Sequence, residues 1–239
     1  MCILNCFDFE SSLKSVSNIY DLDCNEILRF LNRRHPEIWK PGNGIGFYEY
    51  LLLEFEKNYP LKNNIDKVYW YHLTRIFDES TFLEEGILPL NLALHEIYEF
   101  IISLSHTAIK FDDWVSTIKS DMLNMRLKNC DYGCFAMLIR EVAFKSKEIG
   151  NHNYLEVPES IEDLGLCDIY MQRTKPSIIQ FYALPDRDYK YLIKPVLGYL
   201  FDKIHHVELS VDDNTIFDAK GDVIKPSNIL NIEIIDDDV

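Results

Sequence analysis

Val68-Tyr69-Trp70-Tyr71-His72-Leu73 constrains the fold more than any other stretch of the chain. Aromatic and β-branched side chains crowd a helix but sit well on a pleated surface, so these residues predict a strand. At a period of two, Val68, Trp70, His72 and Thr74 share one face, and Tyr69, Tyr71 and Leu73 share the other. Ser177 to Ala183 is an apolar, β-prone run suited to a buried central strand. Elsewhere the apolar spacing is mostly helical, which makes the chain an α+β protein.

Residues 1–65 read as helical. Asp23 and Glu26 form a capping-box-like start, Ile27, Phe30 and Leu31 follow at helical spacing, and Pro36 ends the run. Pro41 to Gly46 is a glycine-rich linker; a phosphate cradle would need a preceding strand. Phe47, Leu51 and Phe55 stripe the next helix. After residue 90 three helices are expected. The first carries Leu94, Ile97, Tyr98 and Ile101, and the second surrounds Trp114 and Ile118. The third carries Phe135, Leu138, Ile139 and Val142 and stops at Gly150. Pro195 is expected at the first position of a helix whose buried stripe is Val196, Leu197, Leu200, Phe201 and Ile204. Val207 to Val211 alternates as a strand, with Glu208 facing away from Val207, Leu209 and Val211. Ala219 to Asp222 is a turn, and Leu230, Ile232 and Ile234 alternate through a last strand.

Of the 239 residues, 47% are apolar, which is too many for a disordered chain. The formal charge of −15 repels phosphate backbones and anionic membranes; such a surface can instead keep a protein in solution or meet a basic partner. No apolar run approaches the ~18 residues of a membrane span. The opening Met-Cys-Ile-Leu-Asn-Cys-Phe-Asp has no basic segment and too short an apolar run for a signal peptide. A cytoplasmic location is expected.

The six cysteines show neither CxxC nor zinc-type spacing, although Cys2/Cys6 and Cys130/Cys134 would each share a helix face. Reduced, mostly buried thiols are expected. Cys134 follows Gly133 near an expected helix start, where the dipole would favour thiolate; a small core residue explains it equally. His95-Glu96 lacks a second histidine at the zincin spacing, and His205-His206 would point to opposite sides of a strand. No metal site is expected.

His72 stands apart because Thr74 shares its face, Arg75 adjoins it, and the chain then turns into a helix, a place where side chains converge. Tyr71-His72-Leu73-Thr74, followed by Phe82-Leu83-Glu84-Glu85-Gly86-Ile87-Leu88-Pro89, resembles the opening of the ADP-ribosyltransferase superfamily. Val207-Glu208-Leu209-Ser210-Val211 and then Ile224-Lys225-Pro226-Ser227-Asn228-Ile229-Leu230-Asn231-Ile232-Glu233-Ile234 resemble its closing strands. The likeness covers residues 68–235, with its specific parts at the two ends.

The resemblance implies an ADP-ribosyltransferase-like split β-sheet over residues 66–239, preceded by a helical extension over 1–65. It implies NAD as substrate, with His72 on a ribose, Thr74 and Arg75 beside it, and Glu208 driving transfer across one shared pocket. Tyr154 is the candidate to stack on nicotinamide, and His152 is a further binding candidate. Breaking the nicotinamide–ribose bond creates an oxocarbenium-like centre that a carboxylate stabilises. A solvent-facing strand glutamate is the plain alternative for Glu208. ADP-ribose would pass to a protein or nucleic-acid acceptor, or to water, as in a toxin or defence effector. Two other readings stand: a non-enzymatic acidic inhibitor, immunity protein or scaffold, and a family member that has lost catalysis.

Overall fold

Strand Lys67–Ile76 (β2) lies between β3 (Phe135–Met137) and β4 (Lys175–Ala183) in the computed structural model. The structure describes residues 1–34, 44–105, 110–117, 129, 132–145, 165–210 and 213–235. With β1 (Ile3–Leu4), β5 (Ile216–Asp218) and β6 (Ile229–Ile234), the strands are hydrogen-bonded in the order β5-β3-β2-β4-β6, and β1 pairs β2. β1 runs parallel to β2, whereas β2–β3 and β4–β6 are antiparallel. Among the described residues the helices are α1 (Phe9–Tyr20), α2 (Cys24–Asn32), α3 (Phe47–Asn58), α4 (Glu79–Glu85), α5 (Leu90–Ser105), α6 (Phe111–Thr117), α7 (Arg140–Phe144), α8 (Cys167–Arg173) and α9 (Lys190–His205). The fold is α+β. No helix among the described residues is long and apolar enough to cross a membrane.

The chain divides into two compact units, each assembled from three stretches: 1–71, 137–152 and 182–216 in the first, and 72–136, 153–181 and 217–239 in the second.

In the first unit α9 is the central helix. From Leu192 to Asp202 only Lys194 escapes burial, and α1, α2 and α3 pack around it. A helix apolar on nearly every side is stable only when neighbours cover it all round. Phe47 meets Phe201 at 4.9 Å between ring centroids, and Tyr20 meets Phe55 edge-on at 4.9 Å. Gly198 lets the Tyr48 ring lie close, since a Cβ there would come within 3.0 Å of it. The first two helices start on acidic caps: Asp8 accepts from Ser11 N at 2.7 Å, and Asp23 accepts from Asn25 N at 2.8 Å.

In the second unit Leu94 and Ile101 of α5, Trp114 of α6 and Tyr170 of α8 form one apolar cluster. The 16-residue α5 follows the predicted spacing. Ile118, expected in the second helix, lies outside the described residues, as does Gly150.

Several expectations are corrected. Phe135 to Val142 is not one helix. Phe135–Met137 is a strand, with Met137 opposite Tyr71, and only Arg140–Phe144 is helical. Ala136 through Ile139 are buried one after another, and a continuous buried run satisfies a helical spacing as readily as any other. Pro195 sits inside α9, which begins five residues earlier at Lys190. An interior proline costs about 3 kcal/mol, and full burial of Leu192 and Ile193 in the preceding turn offsets it at roughly 1.5–3 kcal/mol each. Residues 207–210 are not a strand: Val207 is 46% exposed while Leu209 is buried, and Val211 lies outside the described residues.

His205 closes α9 and His206 caps it in the left-handed region, so neither is on a strand. Leu230 is 43% exposed, because the register shifts opposite Gln180 and Phe181 and takes it out of the alternation. β2 runs on to Ile76, which places His72 within the strand and not at its end. Cys2 and Cys6 flank β1 and do not share a helix; Cys6 bridges Ile139. Cys134 precedes a strand and is a buried thiol that donates to Ile87 O at 3.5 Å.

Candidate functional site

In the second unit, β2 delivers His72, Thr74 and Arg75 to one cleft of about 390 Å³. The volume is that of a small-ligand pocket. Its other walls come from Phe77 and the end of α4, from Glu96 and Phe100 of α5, and from Tyr170 and Thr174 at the end of α8.

His72 Nδ1 lies 2.7 Å from Phe135 O. A carbonyl only accepts, so Nδ1 carries the proton and Nε2 is the ring's acceptor. Burial lowers the His72 pKa, against the opposing hydrogen bond to Phe135, so the ring is neutral at pH 7. The ring thus has a fixed tautomer and can accept a hydroxyl proton. Arg75 is anchored to the end of α8: Nε donates to Thr174 Oγ1 at 3.0 Å, and Nη2 donates to Thr174 O at 3.0 Å. Its charge therefore sits at a fixed point on the cleft wall. Among the described residues the Thr74 hydroxyl donates to Arg75 O at a long 3.4 Å.

Phe77 is 62% exposed and meets Phe100 at a tilt, 5.2 Å between ring centroids, and Phe100 in turn meets Tyr170 at 5.8 Å. This aromatic wall suits a planar ring. Burial, then the neighbouring Glu85 carboxyl, push Glu96 up to about 7.

The turn after α4 is fixed by an unusual backbone. Gly86 has φ 87° and ψ −158°, a region open to glycine, and a Cβ there would lie 2.0 Å from Ile224 O. That close approach permits a two-way exchange, Ile87 N to Ile224 O at 2.9 Å and Ile224 N to Ile87 O at 3.0 Å. The 3₁₀ turn Pro226–Asn228 then packs against α4.

Glu208 does not line this cleft. It lies in the first unit, on a cleft of about 270 Å³ that it shares with Glu141, Asp202 and Lys203. Glu141 accepts from Lys203 Nζ at 2.7 Å and from Tyr199 OH at 2.9 Å. Burial pushes Glu141 up, but these two hydrogen bonds together with the charges of Lys203 and Lys145 outweigh it and leave its pKa lowered. The structure therefore brings His72, Thr74 and Arg75 together and leaves Glu208 out of their cleft. Tyr154 and His152 lie outside the described residues.

Sequence reasoning missed Phe77, Glu96, Tyr170 and Thr174. Phe77 had a signal, being an aromatic residue one place beyond the strand; Tyr170 and Thr174 had none, since only folding brings them to Arg75. Among the described residues no cluster of His, Cys, Asp or Glu is arranged to hold a metal ion. Compared with protein-family models, with curated proteins and with solved structures, the chain matches none.

Proposed function

We propose that the His72 cleft binds NAD in an ADP-ribosyltransferase-like core, and that the protein cleaves the nicotinamide–ribose bond. ADP-ribose would go to a protein or nucleic-acid acceptor, or to water. One observation carries this reading. The two distant sequence segments that resemble the family, Gly86-Ile87-Leu88-Pro89 and Ile224-Lys225-Pro226, are hydrogen-bonded to each other through Ile87 and Ile224. Gly86 and Ile87 line the same cleft as His72.

The chemistry of the cleft agrees with the ligand. A neutral His72 with Nε2 as acceptor can take a hydrogen bond from a ribose hydroxyl, as the resemblance implies. Arg75 supplies a fixed positive charge for the pyrophosphate. The resemblance implies Glu208 for the carboxylate that would stabilise the oxocarbenium-like centre.

The second reading is a member of this fold that binds NAD without transferring it. It is favoured by the absence of Glu208 from the residues lining the His72 cleft.

Calorimetric titration with NAD and a nicotinamide-release assay on the same preparation separate the readings. Both readings predict saturable binding, weakened about tenfold or more in His72→Ala through loss of one positioned hydrogen bond. Release abolished in a folded Glu208→Gln protein supports the enzyme, whereas binding without release supports the inactive relative. No NAD binding at millimolar concentration refutes both.

A further inference from the structure

Two aspartates in the first unit have no place in the proposed NAD chemistry. Asp202, on α9, is 2% exposed, and Asp213 is 0% exposed. Tyr48 OH of α3 donates to Asp202 Oδ2 at 2.5 Å. Ser210 N donates to Asp213 Oδ2 at 2.6 Å, and Asp213 N donates back to Ser210 O at 3.2 Å. Asp213 thus ties down the segment that follows α9 and carries Glu208. Its other oxygen, Oδ1, is fully buried and meets no protein donor among the described residues.

Two of the cations nearby are engaged elsewhere. Lys203 binds Glu141 at 2.7 Å, and Lys194 sits 4.0 Å from Glu49. Lys145, His206 and Glu208 line the cleft that Asp202 borders, and neither aspartate has an ion-pair partner among the described residues. Two buried, adjacent carboxylates without a cation are strongly unfavourable, and so is a buried carboxylate oxygen without a donor. One proton on the Asp202 carboxyl relieves both penalties, because the acid can donate to the neighbouring Asp213 carboxylate while still accepting from Tyr48.

We propose that the Asp202 carboxyl holds a proton that it donates to Asp213, and that release of this proton to solvent loosens the 206–210 segment bearing Glu208 from α9. This stands independently of the NAD reading. Burial raises Asp202 to about 7, with Tyr48 acting in the opposite direction and Asp213 reinforcing the rise. The sign follows from linkage. Between the unfolded value near 4 and the folded value, the native state holds a proton that the unfolded chain has lost. This pair's contribution to stability therefore falls as pH rises through that window, and it levels off above it.

The test uses Asp202→Asn, which keeps an acceptor for Tyr48 and supplies an N–H to Asp213. Asp213→Asn is its complement. Urea unfolding is measured from about pH 5 to about pH 8, and the unfolding equilibrium of Asp202→Asn relative to wild type should shift by about tenfold or more across that range. Infrared spectra are recorded in a Glu96→Gln background, because Glu96 is also pushed up to about 7; at about pH 6 that protein should show a protonated-carboxyl band that titrates away near neutrality, and adding either Asp202→Asn or Asp213→Asn should remove it. Protection of the Ser210 amide, relative to the free-chain exchange rate at the same pH, should fall as the band disappears.

A Glu96→Gln spectrum without that band overturns the proton on Asp202, even if the aspartate variants do not fold. A band retained in both variants, or identical pH profiles for wild type and Asp202→Asn, has the same consequence. Ser210 protection unchanged through the titration overturns the loosening.

Discussion

Replacing Gly86 by alanine tests whether the contact between the two family-like segments holds the cleft together. Gly86 sits at φ 87° and ψ −158°, where a side chain costs roughly 1–3 kcal/mol. The new Cβ would also fall 2.0 Å from Ile224 O and 3.1 Å from Pro226 Cδ. The backbone must then separate, losing the two Ile87–Ile224 hydrogen bonds at about 1 kcal/mol each. The sum is roughly 3–5 kcal/mol. Because the two units need not unfold together, native-state hydrogen exchange is a better assay than a single melting curve. Amide protection at Ile87 and Ile224 should drop by about a hundredfold or more. Gly44 is the control: its φ is 71° and nothing lies within 4 Å of its would-be Cβ, so alanine there should cost only about 1–2 kcal/mol. If Gly86→Ala leaves both amides protected to within about threefold of wild type, the contact does not hold the turn and the reasoning fails.

Two further outcomes follow from packing and capping. Asp8→Ala should cost about 1 kcal/mol at neutral pH by uncapping α1. Hydrogen bonds from Ser11 lower the Asp8 pKa, so this contribution is present above the unfolded value and disappears as pH falls through the folded one. Urea midpoints of the two proteins should therefore converge in acid, and a constant gap would contradict the cap. Ile101→Ala should destabilise the second unit by about 2–5 kcal/mol, since the side chain is buried against Trp114 and its neighbours. An unchanged exchange pattern around α5 would refute that.

The legible parts of the fold are those where one periodicity excluded the others. β2 and β4 were readable because aromatic and β-branched residues fill them, and α5 because its apolar residues recur every three or four positions. The run from Phe135 was misread because burial on every side erases periodicity. Pro195 misled because a local rule gave way to the burial of Leu192 and Ile193. Of the site, His72, Thr74 and Arg75 were found together because one strand carries them. The Thr174 anchor of Arg75 lies 99 residues away in the chain and had no local signature. Asp202 did leave a trace, as an acid embedded in the apolar stripe Leu200-Phe201, but its meaning depends on Asp213.

The interleaving of the two units bears on how the protein can be made. Residues 182–216, which include α9, are the last part of the first unit to leave the ribosome. Until then α1, α2 and α3 lack the helix they pack around, so the nascent chain carries unsatisfied greasy surface through most of its synthesis. Neither unit can be obtained by a single cut, and fragments intended to isolate one should aggregate unless both outlying stretches are supplied with it.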